Sequence, residues 1–95
     1  MSLEFEWDEE KAAENLRRHR VSFPQAALAF YDLIAVELFD DRRNYGEDRF
    51  IHIGMTEGQI LTVVYTERED TRIRIISARK ASKDEQAYYY RQSPR

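Results

Sequence analysis

Four runs rich in β-branched and aromatic residues follow one another with little chain between them. They are LIAVELF (33–39), RFIHIGM (49–55), ILTVVYTE (60–67) and TRIRIISARK (71–80). The breaks, DDRRNYGED, TEGQ and RED, are clusters of turn-forming and charged residues. β-Branched and aromatic side chains fit a pleated, half-buried surface, and Gly, Asn and Asp end such runs. Parallel neighbours need a crossover of a dozen or more residues, so links this short dictate an antiparallel meander. This constrains the fold more than any other feature of the chain.

Helical signals lie on either side of the meander. LEFEW (3–7) alternates apolar and acidic residues, which predicts a short strand, at a sheet edge. Asp8 then reads as an N-cap for EEKAAENLRRH (9–19), whose acidic first turn and basic last turn suit the helix dipole. Ala12, Ala13 and Leu16 supply its expected buried stripe. A turn at Arg20-Val21 leads to a second helix, SFPQAALAFY, with Ser22 as cap, Pro24 in the first turn and Gln25 three after the cap. Ala26, Ala27 and Phe30 are expected to face inward. After the meander, Ser82 and Glu85 form a capping box that opens a C-terminal helix through AYYYRQ, and SPR (93–95) reads as a frayed tail. Of the three consecutive tyrosines, one or two are core anchors and at least one is exposed. The expected class is α+β: an N-terminal strand plus a four-strand meander in one mainly antiparallel sheet, with two N-terminal helices and one C-terminal helix. With helices on one face, the other is free to carry a site.

At 95 residues the chain has room for one hydrophobic core, so 1–95 is read as a single domain. The absence of Cys rules out disulfides and thiolate metal sites. The acidic start is unlike a secretory signal, and no apolar run approaches the ~20 residues a membrane span needs, so a cytoplasmic location is expected. Charge is unevenly spread. Residues 1–48 hold twelve acids and six bases, a balance of −6, whereas residues 49–95 hold six acids and nine bases, a balance of +3. Arg72, Arg74, Arg79, Lys80 and Lys83 fall within a dozen positions. A cationic surface built from the second half would face a polyanion or an acidic partner.

Strict alternation puts Arg72, Arg74, Ile76, Ala78 and Lys80 on one sheet face and Ile73, Ile75, Ser77 and Arg79 on the other, unless a bulge intervenes. Arginine on a sheet face offers bidentate phosphate recognition and a charge that persists at neutral pH. The competing reading is a solvated strand with cross-strand ion pairs to acids such as Glu67 or Glu69. Tyr65, Glu67 and Arg68 close the preceding strand beside the start of TRIRI. There Tyr65 can stack or donate, Glu67 can act as a base and Arg68 can stabilise charge; equally, Tyr65 can be core and the other two a turn pair. His19 ends the first helix among arginines, and His52, alternating with Ile51 and Ile53, reads as a structural histidine. The two lack zinc spacing, and no calcium loop or Gly-rich phosphate loop occurs, so neither metal nor cofactor is expected.

Taken in order, FEWDEEKAAENLRRHRVSF, ALAFYD, DRFIHIG, VVYTER and RIRIISARKASKDEQAYY resemble the BrnT family, toxins of bacterial type II toxin–antitoxin systems. The likeness runs from about Leu3 to Tyr90 and touches Trp7, Asp8, Lys11, Asn15, His19, Arg49, Tyr65, Arg68, Arg74, Ser77 and Arg79. It implies a RelE-like ribonuclease fold, RNA cleavage that stops translation, and neutralisation by a BrnA-like antitoxin that contacts DNA on behalf of the complex. One departure stands out. Arg20 occupies the place after the helix-ending His where the family commonly has Gly, the residue suited to a left-handed cap.

On this resemblance the expected chemistry is metal-free attack of a 2′-OH on phosphorus. Arg74 and Arg79 would stabilise charge with help from Arg68. His19, Lys11, Glu67 and Tyr65 are the candidates for base and acid, and Arg72, Lys80 and Lys83 would hold RNA. The alternative is a non-catalytic partner-binding module acting in a repressor complex, which the acidic overall balance favours because RNA binders are usually basic.

Overall fold

Residue 60 begins a run that the sheet buries almost completely, and the fold is arranged around it. A computed structural model describes residues 3–69 and 71–92. The expected tail at 93–95 and Asp70 of the RED turn lie outside them. In chain order the elements are β1 (Glu4–Glu6), α1 (Glu9–His19), α2 (Phe23–Leu28), a 3-10 turn (Ala29–Tyr31), β2 (Val36–Asp40), β3 (Arg49–Thr56), β4 (Gln59–Arg68), β5 (Arg72–Lys80) and α3 (Lys83–Gln92). The five strands form one sheet in the order β1-β5-β4-β3-β2. Strands β2 to β5 are the expected antiparallel meander, and β1 sits at the edge, parallel to β5 with Phe5 opposite Ile73.

The local signals are realised in the caps. Asp8 accepts from the N–H groups of Glu10 (2.8 Å) and Lys11 (3.2 Å), and Ser22 Oγ accepts from Gln25 N (3.1 Å). Ser82 and Glu85 make the full reciprocal box, Glu85 N to Ser82 Oγ at 3.1 Å and Ser82 N to Glu85 Oε1 at 2.8 Å. Arg20 does enter the left-handed region, at φ 60 and ψ 27, with its N–H donating to Leu16 O. The second helix is shorter than expected and tightens into the 3-10 turn at Ala29. Strand β2 begins at Val36 rather than 33, because Ala35 N and Ile34 N fold back onto Asp32.

Helices α1 and α2 cover one face, enclosing Val21, Phe23, Ala26, Leu61, Val63, Tyr65, Ile73, Ile75 and Ala78. The expected stripe of α1 is corrected: Leu16 is 48% exposed and Ala13 is exposed, while Asn15 is the buried residue. His52 is also buried on this face. Its Nδ1 meets Glu37, its Nε2 meets Ala29 O at 2.7 Å, and its ring stacks on Phe30 at 4.1 Å, so it is structural as expected. Gly54 permits that contact, since a Cβ there would stand 2.7 Å from both Ala29 O and His52 Nε2. The opposite face is not wholly free. Helix α3 closes one end of it over Ile53 and Ile60, with Tyr89 buried and Tyr90 exposed. Asp32 ties this end together, accepting from Tyr89 OH (2.6 Å) and Met55 N (2.8 Å).

Candidate functional site

The arginine surface owes its form to one bulge. Thr62 lies opposite Arg79, Val63 opposite Ala78 and Val64 opposite Ser77, but Tyr65 lies opposite Ile75. One step on β4 is matched by two on β5, and Ile76 is left over. An extra residue reverses the in–out alternation. Residues directly paired across strands share a face, so Arg68, Arg72, Arg74, Ser77 and Arg79 all project to the side away from α1 and α2. This corrects the strict period-two assignment. Arg79 and Ser77 join Arg72 and Arg74, whereas Ala78 and Lys80 move to the helix side. Buried Ala78 lies two residues beyond the leftover Ile76, and there Asn15 of α1 receives its N–H (3.1 Å) and donates to its C=O (2.8 Å).

Each guanidinium on this face has a carboxylate beside it. Arg72 meets Glu4, Glu6 and Glu69 at 3.3–3.6 Å, and Arg74 donates to Glu6 at 2.9 Å. Arg68 meets Glu47 at 3.3 Å, and Arg79 forks onto Glu85 at 2.7 and 2.9 Å. An acidic protein can thus carry a cationic strand. The Arg72, Arg74 and Arg68 pairs are half-exposed, and pairs of that kind contribute roughly 0–1 kcal/mol, so a polyanion displaces them at small cost. The Arg79 pair differs. Glu85 also accepts from Thr62 Oγ1 and Ser82 N, and the Arg79 guanidinium holds its carboxyl down at about 2. Arg79 therefore anchors the start of α3 as well as charging the face.

The other candidates are distributed. Tyr65 is on the helix side, 8% exposed, with its OH donating to Glu37 at 2.7 Å. Burial, then the Glu37 carboxylate, pushes its phenol well above the usual range. The fold does not bring it to the arginine face. Glu67 is exposed near the end of β4, pairs with Ile73 and so points to the same side as Tyr65. Lys11 and His19 line a cleft of about 450 Å³ between α1 and β5, with Glu10, Glu14, Ile76 and Ser77. They stand four residues either side of Asn15, on one stripe of the helix. Lys80 and Lys83 are exposed at the junction with α3.

One constellation lies in the segment read only as a turn. Asp40, the last residue of β2, has a fully buried side chain. It accepts from Arg42 Nε (2.7 Å), Arg42 Nη2 (2.8 Å), Arg42 N (3.3 Å) and Tyr45 OH (3.2 Å). The Arg49 guanidinium lies 4.1 Å from the centre of the Tyr45 ring. Asp40 pairs with Arg49 across the strands, and Arg49 alternates with Phe50 to fall on the face of Ile51, Val64 and Ser77. That is the arginine face. The only hint in the sequence was two arginines and a tyrosine inside a turn cluster. Among the described residues, no group of three or more His, Cys, Asp or Glu side chains is placed to hold a metal ion. No helix among them is long and apolar enough to cross a membrane.

Comparison with known proteins bears on the fold and the family. The solved structures include the 1.1 Å crystal structure of the Brucella abortus ribonuclease toxin BrnT, which superposes with a TM-score of 0.68 at 25% sequence identity, covering 86% of this chain and all of that one. No curated protein sequence matches at a significant level. Residues 7–85 match the family described as the ribonuclease toxin BrnT of type II toxin–antitoxin systems. That span takes in α1, the whole meander, its bulge and the α3 capping box, and the chain belongs to this family of ribonuclease toxins.

Proposed function

We propose that this chain cleaves RNA without a metal ion, on the sheet face bearing Arg68, Arg72, Arg74 and Arg79, and so inhibits translation. The observation that carries the reading is that these guanidinia, from two neighbouring strands, all lie on the side away from α1 and α2. In the reaction a base takes the 2′-OH proton, the 2′-oxygen bonds to phosphorus, and the P–O5′ bond breaks. An acid returns a proton to O5′, leaving a 2′,3′-cyclic phosphate and a 5′-hydroxyl. Arg74 and Arg79 stabilise the charge on the five-coordinate phosphorus, with Arg68 assisting. Lys11 and His19 serve proton transfer from the cleft at the β5 edge, beside Ser77. Arg72, with Lys83 at the α3 junction, steers the strand, while Lys80, expected to hold RNA, is turned to the helix side. Glu6, Glu47 and Glu69 yield their arginines to phosphate as RNA arrives. The partner is a BrnA-like antitoxin that covers the same face and supplies the DNA contact of the complex, and the cytoplasm is the site of action.

Purified chain in EDTA is expected to cut labelled RNA to cyclic-phosphate ends. Arg74→Gln removes only a half-exposed pair with Glu6, so it is expected to keep its thermal midpoint and lose about 100-fold in rate. Cleavage that appears only on adding Mg²⁺ sinks the metal-free mechanism, and full activity in Arg74→Gln sinks the site. Arrest of growth on expression without the antitoxin separates a catalyst from a module that only binds its partner.

A further inference from the structure

We propose that Arg42, held on the buried carboxylate of Asp40, is a second phosphate-binding arm of the arginine face, gripping a backbone phosphate of single-stranded RNA beside the scissile one. This rests on the reading that RNA lies on that face.

Three observations carry it. First, Asp40 fixes Arg42 in place. The guanidinium docks side-on through Nε and Nη2 at 2.7 and 2.8 Å, while 61% of the Arg42 side chain stays exposed. An exposed arginine ordinarily loses considerable rotamer freedom on gripping a ligand; here that loss is taken on folding. Five N–H groups less the two on Asp40 leave an outward edge able to grip a phosphate. Second, the arm overhangs the right face. Asp40 and Arg49 are paired on the side that carries Arg74, Ser77 and Arg79, in the row that runs through Thr66 to Arg74, and the Arg42 charge is a minor influence on the Arg79 guanidinium. Cations gathered on one side of the sheet, each beside its own carboxylate, favour an anion that binds there. Third, Tyr45 is tied to the same carboxylate and carries Arg49 on its ring, so a third cation is held in the same cluster. Neutralising Asp40 alone would not need the exposure of Arg42. The Arg42 guanidinium also holds the Asp40 carboxyl down at about 2, so the anchor stays ionised at neutral pH.

The test is binding of a fluorescent, fully 2′-O-methylated oligoribonucleotide, which has no 2′-OH to react, measured by anisotropy over a salt series. Arg42→Gln is expected to weaken binding about tenfold near 0.1 M salt. It is also expected to flatten the plot of log K against log salt by about 0.7, the share of one single-strand phosphate contact. Arg42→Lys should keep the slope. Unchanged affinity and slope in Arg42→Gln, with Arg74→Gln still weakened, overturns the second arm and leaves the arginine-face reading standing. A wild-type chain that does not bind the oligonucleotide at low salt overturns both. A lower thermal midpoint with an unchanged slope makes Arg42 structural and likewise overturns the inference. Should Arg42→Gln fold poorly around an unpaired Asp40, the double variant Asp40→Asn/Arg42→Gln removes the buried charge and carries the same measurement.

Discussion

Asn15→Ala is the most exacting test of how the site is assembled. The Asn15 amide donates to Val21 O (2.9 Å) and Ala78 O (2.8 Å) and accepts from Ala78 N (3.1 Å). Among the described residues β1 pairs with β5 along 72–74, and no strand borders this edge at Ala78. The amide takes a neighbour's place, satisfying both backbone groups of one residue. Each bond contributes about 1 kcal/mol net, and a buried group left unpaired costs ~1–3 kcal/mol. Truncation strands Ala78 N–H and two carbonyls, so a loss of about 3–4 kcal/mol is expected. Domains of this size hold roughly 5–14 kcal/mol in all, so the variant still folds at 25 °C. At ~4–8 °C per kcal/mol the midpoint falls by about 12–30 °C. Thermal melting followed by circular dichroism, with urea titration for the free energy, reads this directly. A loss under about 1 kcal/mol would refute the argument and show that water replaces the amide without cost. The same bonds set α1 against β5, and with it the stripe of Lys11 and His19, so RNA cleavage at 25 °C should fall although the chain remains folded.

Other perturbations have equally definite expected outcomes. Arg20→Gly relieves a side chain held at φ 60 and should stabilise the fold by about 1 kcal/mol, raising the midpoint by ~4–8 °C; an unchanged midpoint would mean that Arg20 bears no strain there. Gly54→Ala drives a methyl to 2.7 Å from Ala29 O and should cost about 1–3 kcal/mol in urea unfolding by prising the 3-10 turn from His52. Asp40 and Glu85 are both held down at about 2 by their arginines. Their folded values lie below the unfolded ones, so the stability they confer is complete above about pH 5 and is lost as pH falls from about 4 toward 2. Urea midpoints measured from pH 7 to 2 should show that decline, and Glu85→Gln should make it shallower.

Much of this molecule was legible along the chain. The four strands, their order as a meander, the caps at Asp8, Ser22 and Ser82 and the odd placement of Arg20 all depend on residues within a few positions of one another. The backbone in such stretches answers to local sterics and nearby hydrogen bonds, and these are written in order. The family likeness was legible for the same reason, as ordered motifs spread over most of the chain. What tertiary structure alone decided was which side chains meet. One unpaired residue, Ile76, turns Arg79 onto the face of Arg72 and Arg74, because a strand keeps its alternation only while its neighbour advances at the same step. Asn15 is buried because a backbone edge 63 residues away needs its amide. Arg42 becomes part of the cationic face because Asp40 is buried beneath it, and burial belongs to the packed sheet rather than to any local run of sequence.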